Sequence, residues 1–359
     1  MQALVRRCLA LCLVLAALTS LIAACGRGQE SELADELHVY NWSEYVGPEV
    51  YEKFEEEYGV HVVEDTFPNN EELLAKLQAG ATGYDVIVPS DYMVDIMIQQ
   101  ELLAELDRDN LPNIENLDSK FTDPPYDPGM VHCVPYLWGT TGIGYNDEAF
   151  DEPPDSWAYL FDRDLASEYA GSFTMLNDVR EAMGAALKYL GYSLNSTDEE
   201  VLAEARDLLI EQKQWVHSYN AENYEDMLSA NETVMAHSWS GDVFMVAEED
   251  ERIWYAIPEE GGVIWADNLC IPASSQKKHT AEVFINFMMR PDVAAANSNY
   301  TWYASPNKEA TDLIDDEILE EPAIYPPDDV LEKLEWIEDV GEAAPIYERM
   351  WTEVKAAGS

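Results

Sequence analysis

Basic residues are scarce in this chain. Its 359 residues include 20 Lys and Arg against 71 Asp and Glu, which gives a formal charge of −51 with histidine neutral. A nucleic-acid interface needs a basic face, and no basic run that would supply one is present. The sequence therefore excludes DNA and RNA as partners and favours cations, whether metals, amines or basic proteins.

Metal ligands and nucleophile motifs are also scarce. The six histidines form no HxxxH pair, and none of the cysteines has the spacing typical of zinc ligands. No GxSxG motif or Cys/His nucleophile pattern is present. We therefore predict no metal, no cofactor and no catalytic residue.

Aromatic residues, in contrast, are abundant. With 10 Trp, 20 Tyr and 9 Phe and 47% hydrophobic residues, the chain is no disordered acidic tail. It is long enough for a substantial core and for two domains. Most of the 71 carboxylates are expected on a solvated surface, an adaptation that saline surroundings would favour, and only a few are expected to act specifically.

The N-terminus has the pattern of an export signal. Residues 1–24 contain Arg6 and Arg7, then an apolar run, then small residues before Cys25. Residues 22–25 resemble a bacterial lipobox, which implies a lipid on the Cys25 thiol; the competing interpretation is an ordinary signal peptide with an incidental cysteine. Residues 25–36 are predicted to be a tether, and the mature chain would carry a charge of −53, from 18 basic and 71 acidic residues.

The region after the tether alternates strands and helices. A β-α-β-α-β order predicts a parallel sheet with helices on both faces, and ligands bind such sheets at the carboxyl ends of the strands. The polar and aromatic segments at residues 41–45 and 89–92 follow the first and third strands and are therefore candidate ligand contacts. Strands are predicted over residues 37–40, 60–63 and 85–88, and helices over 49–58, 71–78 and 93–100.

A second α/β region follows, from about residue 171 to residue 257. Glycine-containing apolar segments at residues 131–145 and 261–267 are predicted to cross between two lobes. The other predicted elements are helices over 180–191, 198–219, 282–289 and 341–356 and a strand near 234–238.

Eight motifs stand out along residues 36–358. The motifs are YNWSEY (40–45), YDVIVPSDY (84–92), PYLWGTTGIG (135–144), NDVRE (177–181), SWSGD (238–242), EGGVIWAD (260–267), YASPN (303–307) and EWIEDVG (335–341). In their order and approximate spacing, these motifs resemble those of the spermidine/putrescine-binding proteins of bacterial ABC importers.

The resemblance implies a two-lobed α/β fold of the type II periplasmic binding proteins, each lobe a mostly parallel sheet with the ligand in the cleft between them. Lobe 1 is expected over residues 37–141 and 267–312, and lobe 2 over 142–266 and 313–359. The implied partners are a polyamine, an ABC permease and the membrane through the lipid anchor. The protein is expected to be an extracytoplasmic monomer and not an enzyme.

The resemblance also implies the ligand contacts. Aromatic residues would line the polyamine, serines would make polar contacts and carboxylates would receive the ammonium groups. The residues on these positions are Trp42, Ser43, Glu44, Tyr45, Ser90, Tyr92, Asp178, Glu181, Trp239, Asp242, Trp265, Asp267 and Tyr303.

Physical chemistry supports this set independently. Each ammonium needs an acceptor once it leaves water, because an unpaired buried charge is very costly, and aromatic faces attract the methylenes and the cations beside them. Asp267 follows a crossing segment beside Trp265, an awkward place for an acid without a cationic partner.

Some residues have a second interpretation. Asp178 and Glu181 are also suited to capping the helix that begins near Arg180, and Trp138 is assigned to packing. Cys133 and Cys270 lie at matching distances from the two crossings, and the sequence leaves open whether they form a disulfide or remain free thiols.

The preferred ligand is less well defined. Ile337 replaces a glutamine of the spermidine-type members, Asp242 resembles the putrescine type, and Glu44, Tyr92 and Trp265 resemble the spermidine type. Both amines are expected to bind. The alternatives are a binding protein for another organic cation or for a sugar, and a carbohydrate-active enzyme using paired carboxylates.

Overall fold

The computed structural model describes residues 33–80 and 83–358. The predicted signal peptide, the predicted lipidation site Cys25 and most of the tether lie outside the described residues. Within the described part, no helix is both long enough and apolar enough to cross a bilayer.

One continuous sheet runs through the described part of the chain. Its order is β2-β1-β3-β9-β4-β7-β5-β6, with β10 against β9 and β8 against β4. The strands are β1 (Glu36–Asn41), β2 (His61–Thr66), β3 (Val86–Ile87), β4 (Cys133–Asn146), β5 (Phe173–Met175), β6 (Ser218–Tyr219), β7 (Met235–Trp239), β8 (Ile253–Ala256), β9 (Val263–Cys270) and β10 (Glu335–Trp336).

Helices connect and cover these strands, beginning and ending at the expected signals. The first begins with Pro48 and ends at Gly59, whose φ of 69° suits a left-handed cap, and the second is capped by the Asn69 side chain. The helices are α1 (Pro48–Tyr58), α2 (Asn70–Gln78), α3 (Asp91–Gln99), α4 (Ala158–Phe161), α5 (Arg163–Glu168), α6 (Val179–Tyr189), α7 (Glu199–Gln212), α8 (Tyr224–Ser229), α9 (Ser240–Glu249), α10 (Lys278–Met288), α11 (Pro291–Thr301), α12 (Asp316–Leu319), α13 (Asp328–Leu331) and α14 (Ala344–Ala356).

Strand β4 divides the sheet into two parts. Residues 133–140 of β4 pair antiparallel with β9, and residues 141–146 pair antiparallel with β7 and β8. We call β1, β2, β3, β9 and β10 the first half-sheet, and β5 to β8 the second half-sheet. β1 is parallel to β2 and β3, and β5 is parallel to β6 and β7, so the predicted parallel α/β pattern is confirmed on each side.

Each half-sheet has its own apolar packing. Phe54 of α1 contacts Phe284 and Phe287 of α10, with ring centroids 5.0 and 5.2 Å apart, over the first half-sheet. Over the second half-sheet, α6, α7 and α14 bury one cluster that includes Leu209 and Tyr347. Two packed cores joined by β4 and β9 leave a cleft between them.

The crossing strands are joined covalently. Cys133 on β4 lies opposite Cys270 on β9, with the Cα atoms 4.5 Å apart, and the two form a disulfide. Both side chains are buried. Strands β4 and β9 are therefore antiparallel neighbours, which is the arrangement that the disulfide requires.

Some predicted boundaries were wrong. The helix predicted over residues 198–219 ends at Gln212, and its last two residues instead form β6, which pairs with β5. The strand predicted over residues 85–88 is shorter, and the crossing strands extend to Asn146 and Cys270. The exact lobe boundaries after residues 141, 266 and 312 stay a prediction.

Candidate functional site

A cavity of about 690 Å³ lies at the cleft and is lined by residues from both half-sheets. This volume is within the usual range for small-ligand sites. The structure places all thirteen residues predicted to contact a ligand in its lining, namely Trp42, Ser43, Glu44, Tyr45, Ser90, Tyr92, Asp178, Glu181, Trp239, Asp242, Trp265, Asp267 and Tyr303.

The topology explains why these residues meet. Residues 42–45 follow β1, Ser90 precedes α3 after β3, Asp178 caps α6 after β5, and Asp242 lies in α9 directly after β7. All four strands therefore lead into the cavity from their carboxyl ends, as parallel sheets predict. Asp267 enters from the crossing strand β9.

Asp267 is held in place by two hydroxyl groups. The Tyr45 hydroxyl donates to Oδ2 at 2.6 Å, and the Ser90 hydroxyl donates to Oδ1 at 2.6 Å. Asn70 supports Ser90 by donating from Nδ2 to its hydroxyl oxygen at 3.0 Å. Asp267 is 5% exposed, so its carboxylate is a fixed, nearly dry acceptor in the cavity wall.

Glu181 has one carboxylate oxygen without a partner. Oε1 accepts hydrogen bonds from the Thr141 hydroxyl and the Trp239 indole, both at 3.0 Å. Oε2 is buried and unpaired, although the side chain lines the cavity. An unpaired buried acceptor is costly, which makes Glu181 a candidate partner for a cationic group.

Asp178 serves two purposes. Its Oδ1 accepts from the backbone amides of Arg180 and Glu181, so the capping interpretation holds for this residue. It also lines the cavity beside Glu181. Glu181 lies in the first turn of α6, where an acid is favoured, but its side chain accepts from Thr141 and Trp239 and makes no capping hydrogen bond.

Asp242 is bound by tyrosines that come from two parts of the chain. Tyr224 of α8 donates to Oδ2 at 2.6 Å, and Tyr303, after α11, donates to Oδ1 at 2.7 Å. Gly241 makes this approach possible, because a Cβ there would lie 2.6 Å from the Tyr303 ring. The Asp242 carboxylate is therefore fixed on both oxygens.

Two tryptophans face each other from opposite half-sheets. Trp42 and Trp239 have ring centroids 6.0 Å apart in an edge-to-face arrangement. The Trp42 indole donates to the Val88 carbonyl at 2.9 Å, which fixes its orientation. Both side chains are half-buried, so aromatic surface remains for a ligand.

Trp265 and Tyr303 form a second aromatic contact. Their centroids are 5.0 Å apart, and a Cβ at Gly139 would lie 2.8 Å from the Trp265 ring. The Trp265 indole nitrogen is buried without a partner. Trp138 does not line the cavity. It packs against Phe121 and Tyr325, as the sequence predicted.

Ser43, Glu44 and Tyr92 complete the predicted set in the cavity lining. Ser43 and Glu44 are exposed, and Glu44 has a φ of 52°, a left-handed conformation that is strained for a non-glycine residue. Tyr92 is buried and donates from its hydroxyl to Glu71 Oε1 at 3.0 Å. Ile337 also lines the cavity, in place of the glutamine expected from the resemblance.

Five acidic lining residues were missed from the sequence, namely Asp91, Glu222, Glu225, Asp226 and Glu249. Glu71, the acceptor for the Tyr92 hydroxyl, was also missed. Glu71 is in the first turn of α2, after β2, and Glu225 is in α8, after β6. The carboxyl-end rule would have found both, but it was applied only to the first and third strands, and β6 was assigned to a helix. Asp91 accepts from the Tyr92 and Ala266 amides at 2.6 and 3.1 Å.

Burial and mutual repulsion keep these carboxyl groups hard to ionise. Burial raises the pKa of Asp267 to about 7, against the hydrogen bonds from Ser90 and Tyr45. Burial and then the charge of Asp178 raise the pKa of Glu181 to about 8. Burial also raises the pKa of Asp242, a shift to which the charge of Glu44 adds. Several carboxyls in one empty cavity therefore favour the arrival of positive charge.

The comparisons with known proteins agree with this geometry. A family model described as bacterial extracellular solute-binding protein matches residues 49–326. The spermidine/putrescine-binding periplasmic protein of Salmonella typhimurium is 36% identical over 324 residues, covering 90% of this chain and 92% of its own. The putrescine-binding periplasmic protein PotF of Escherichia coli is 34% identical over 337 residues, covering 89% and 91%.

A solved structure is also similar. The putative spermidine/putrescine ABC transporter from Listeria monocytogenes superposes with a TM-score of 0.86 at 36% identity, covering 90% of this chain and 99% of that chain. The chain is thus a bacterial extracellular solute-binding protein with the two-lobed type II fold. Within that class it belongs to the family of the spermidine/putrescine-binding proteins of ABC transporters, as its motifs predicted. These relatives are solute-binding transport proteins and not enzymes.

Proposed function

We propose that this protein acts outside the cytoplasm, where it captures spermidine and putrescine in the cleft and delivers them to an ABC permease. The lipid anchor on Cys25 and the action as a monomer are part of this proposal. The predicted contacts are thirteen of the residues that line the cavity.

One observation carries the proposal. Buried carboxylates from several elements line the cavity together with aromatic rings. Among the residues that the structure describes, Glu181, Asp242 and Asp267 take part in no ion pair with Lys, Arg or His. Buried carboxylates normally have a cationic partner, so the missing cation is best supplied by a ligand.

The distribution of charge and apolar surface suits a polyamine. Its ammonium groups are separated by methylene segments, and the lining alternates acidic residues with Trp and Tyr rings. Each ring face beside an ammonium contributes about 0.5–2 kcal/mol. A sugar would instead need neutral and basic donors, whereas most of the polar side chains in this lining are acidic acceptors.

The lining mixes features of the two ligand types. Asp242 supports putrescine, whereas Glu44, Tyr92 and Trp265 support spermidine, and Ile337 removes one polar contact at a terminal amine. Both amines are therefore expected to bind, with spermidine favoured by the larger set of carboxylates.

A thermal-shift panel tests the proposal against its alternatives. Spermidine and putrescine should raise the midpoint of unfolding, because a ligand that binds only the folded state stabilises it. Lysine and choline test another organic cation, and maltose tests a sugar. A raised midpoint of unfolding with maltose, or with choline but neither polyamine, would contradict the proposal. In a separate assay, hydrolysis of chromogenic glycosides would support an enzyme.

A further inference from the structure

Glu225 is an acidic residue of the cavity that neither the motifs nor the family resemblance assigned. It lies in α8 and is half-buried, but its Oε2 atom is inaccessible to solvent and has no hydrogen-bond partner. No ion pair includes it among the side chains that the structure describes. A buried carboxylate oxygen without a hydrogen bond is energetically costly, and a ligand that donates to it would remove that cost.

Hydrogen bonds and ring contacts link Asp267 to Asp242 and to the helix that carries Glu225. Asp267 accepts from Tyr45, whose ring packs on Tyr303 at 5.5 Å. The Tyr303 hydroxyl donates to Asp242, which also accepts from Tyr224, the residue next to Glu225. Asp242 therefore lies between Asp267 and α8 in this chain of contacts.

A second carboxylate of the lining also has an unpaired oxygen. Glu181 is 5% exposed, and its Oε2 has no partner, as described above. Asp178 lies beside it in the lining. The two unpaired oxygens thus belong to Glu181 and Glu225, whereas the oxygens of Asp267 and Asp242 each accept from a hydroxyl group.

We propose that Glu225, with Asp242 and Glu44, forms a further ammonium subsite, so that the cavity accepts a linear tetra-amine with one ammonium more than spermidine. This inference rests on the proposed function of the cavity. A triamine extending from Glu181 through Asp267 to Asp242 leaves Glu225 unpaired, and a fourth ammonium neutralises it.

The three carboxylates of this subsite come from both half-sheets. Glu44 follows β1 of the first half-sheet, whereas Glu225 and Asp242 belong to the helices of the second. Burial raises the pKa of Glu225, and the charges of Asp242 and Glu44 add to that rise. A single ammonium between the three carboxylates adds three attractions that offset their mutual repulsion.

Titration calorimetry with spermine and spermidine tests the subsite. Spermine should bind the unaltered protein at least as tightly as spermidine. Glu225→Gln should weaken spermine about tenfold, or about 1.4 kcal/mol, and spermidine by less than about threefold. Glu232→Gln is the matched control, because it makes the same change at an exposed side chain that does not line the cavity, and it should change neither affinity beyond that limit.

Each failure has its own meaning. If spermidine binds but spermine does not, or if Glu225→Gln weakens both amines equally, the further subsite is wrong and the proposed function stands. If neither amine binds the unaltered protein, the proposed function itself is wrong.

Discussion

At the scale of single residues, the cavity depends on carboxylates that are held by hydroxyl groups rather than by cations. Asp267 accepts from Tyr45 and Ser90, and Asp242 accepts from Tyr224 and Tyr303. Hydroxyl donors fix the geometry of a carboxylate without neutralising its charge. The charge therefore stays available to a cationic ligand.

Replacing Asp267 should remove one of these charges without changing the shape of the site. Asp267→Asn is expected to weaken spermidine by about 2–5 kcal/mol, as for a buried charge pair that loses one partner. The measurement is titration calorimetry on the variant and the unaltered protein. The matched control is Asp65→Asn, which removes an exposed aspartate of β2 that does not line the cavity. Equal affinities for Asp267→Asn and the unaltered protein would remove Asp267 from the binding site.

The family resemblance identified thirteen of the lining residues, and residue types supported them, because aromatic and acidic residues after strands are conspicuous in a sequence. What the sequence did not show was orientation. The unpaired Oε2 of Glu181 and the contact between Asp91 and the Ala266 amide depend on side-chain directions that local sequence does not specify. The capping of α6 by Asp178 was offered by the sequence and is confirmed.

At the scale of elements, the long strands β4 and β9 carry the connection between the half-sheets. Their pairing brings Asp267 and Trp265 into the cavity, and the disulfide between Cys133 and Cys270 joins them at one end. Neither cysteine lines the cavity. The disulfide is therefore expected to serve stability more than binding.

Removing the disulfide should lower stability and leave affinity nearly intact. The two cysteines are 137 residues apart in sequence, and opening a link of this length typically costs about 2–5 kcal/mol. The double variant Cys133→Ala, Cys270→Ala should show this loss in urea unfolding, while its affinity for spermidine changes little.

Reduction of the unaltered protein is the internal control for this variant. A reductant should produce the same loss of stability in the unaltered protein and no further loss in the double variant. A double variant as stable as the oxidised protein would contradict the structural role of the disulfide.

Element types were predicted well where the pattern is local. The helices after β1 and β2 carry their own start and stop signals, and the glycine-containing apolar segments did become the crossing strands. β6 was missed because two residues have no detectable period, and only pairing with β5, more than 40 residues earlier, makes them a strand. That single error concealed Glu225, which follows β6.

At the scale of the whole molecule, the excess of acid acts in two ways. Most of the charge of −51 is spread over the surface and attracts cations in general. The few carboxyls in the cavity differ, because burial raises the pKa of Asp267 to about 7 and of Glu181 to about 8. At neutral pH the empty site therefore holds protons that an unfolded chain would release.

Two pH dependences follow from these raised pKa values. The folded empty protein binds more protons than the unfolded chain between about pH 4 and about pH 8, so these groups reduce its stability as the pH rises through that window. A polyamine stays protonated there and lowers the carboxyl pKa values. Binding should therefore release about one proton or more per spermidine near pH 7 and become tighter as the pH rises.

Calorimetry in two buffers of different ionisation enthalpy measures this release. The observed heat should differ between phosphate and Tris in the direction of proton release, and Asp267→Asn should release fewer protons than the unaltered protein. No difference between the buffers, or an uptake of protons, would contradict raised carboxyl pKa values in the empty site.

The most direct test of the account is titration of the purified protein with spermidine and with putrescine. Carboxylates that lack a cationic partner, set among aromatic rings, predict saturable one-to-one binding of both amines, with dissociation constants below about 100 μM. Failure of either amine to bind below that limit would contradict the assignment of this cavity to polyamines.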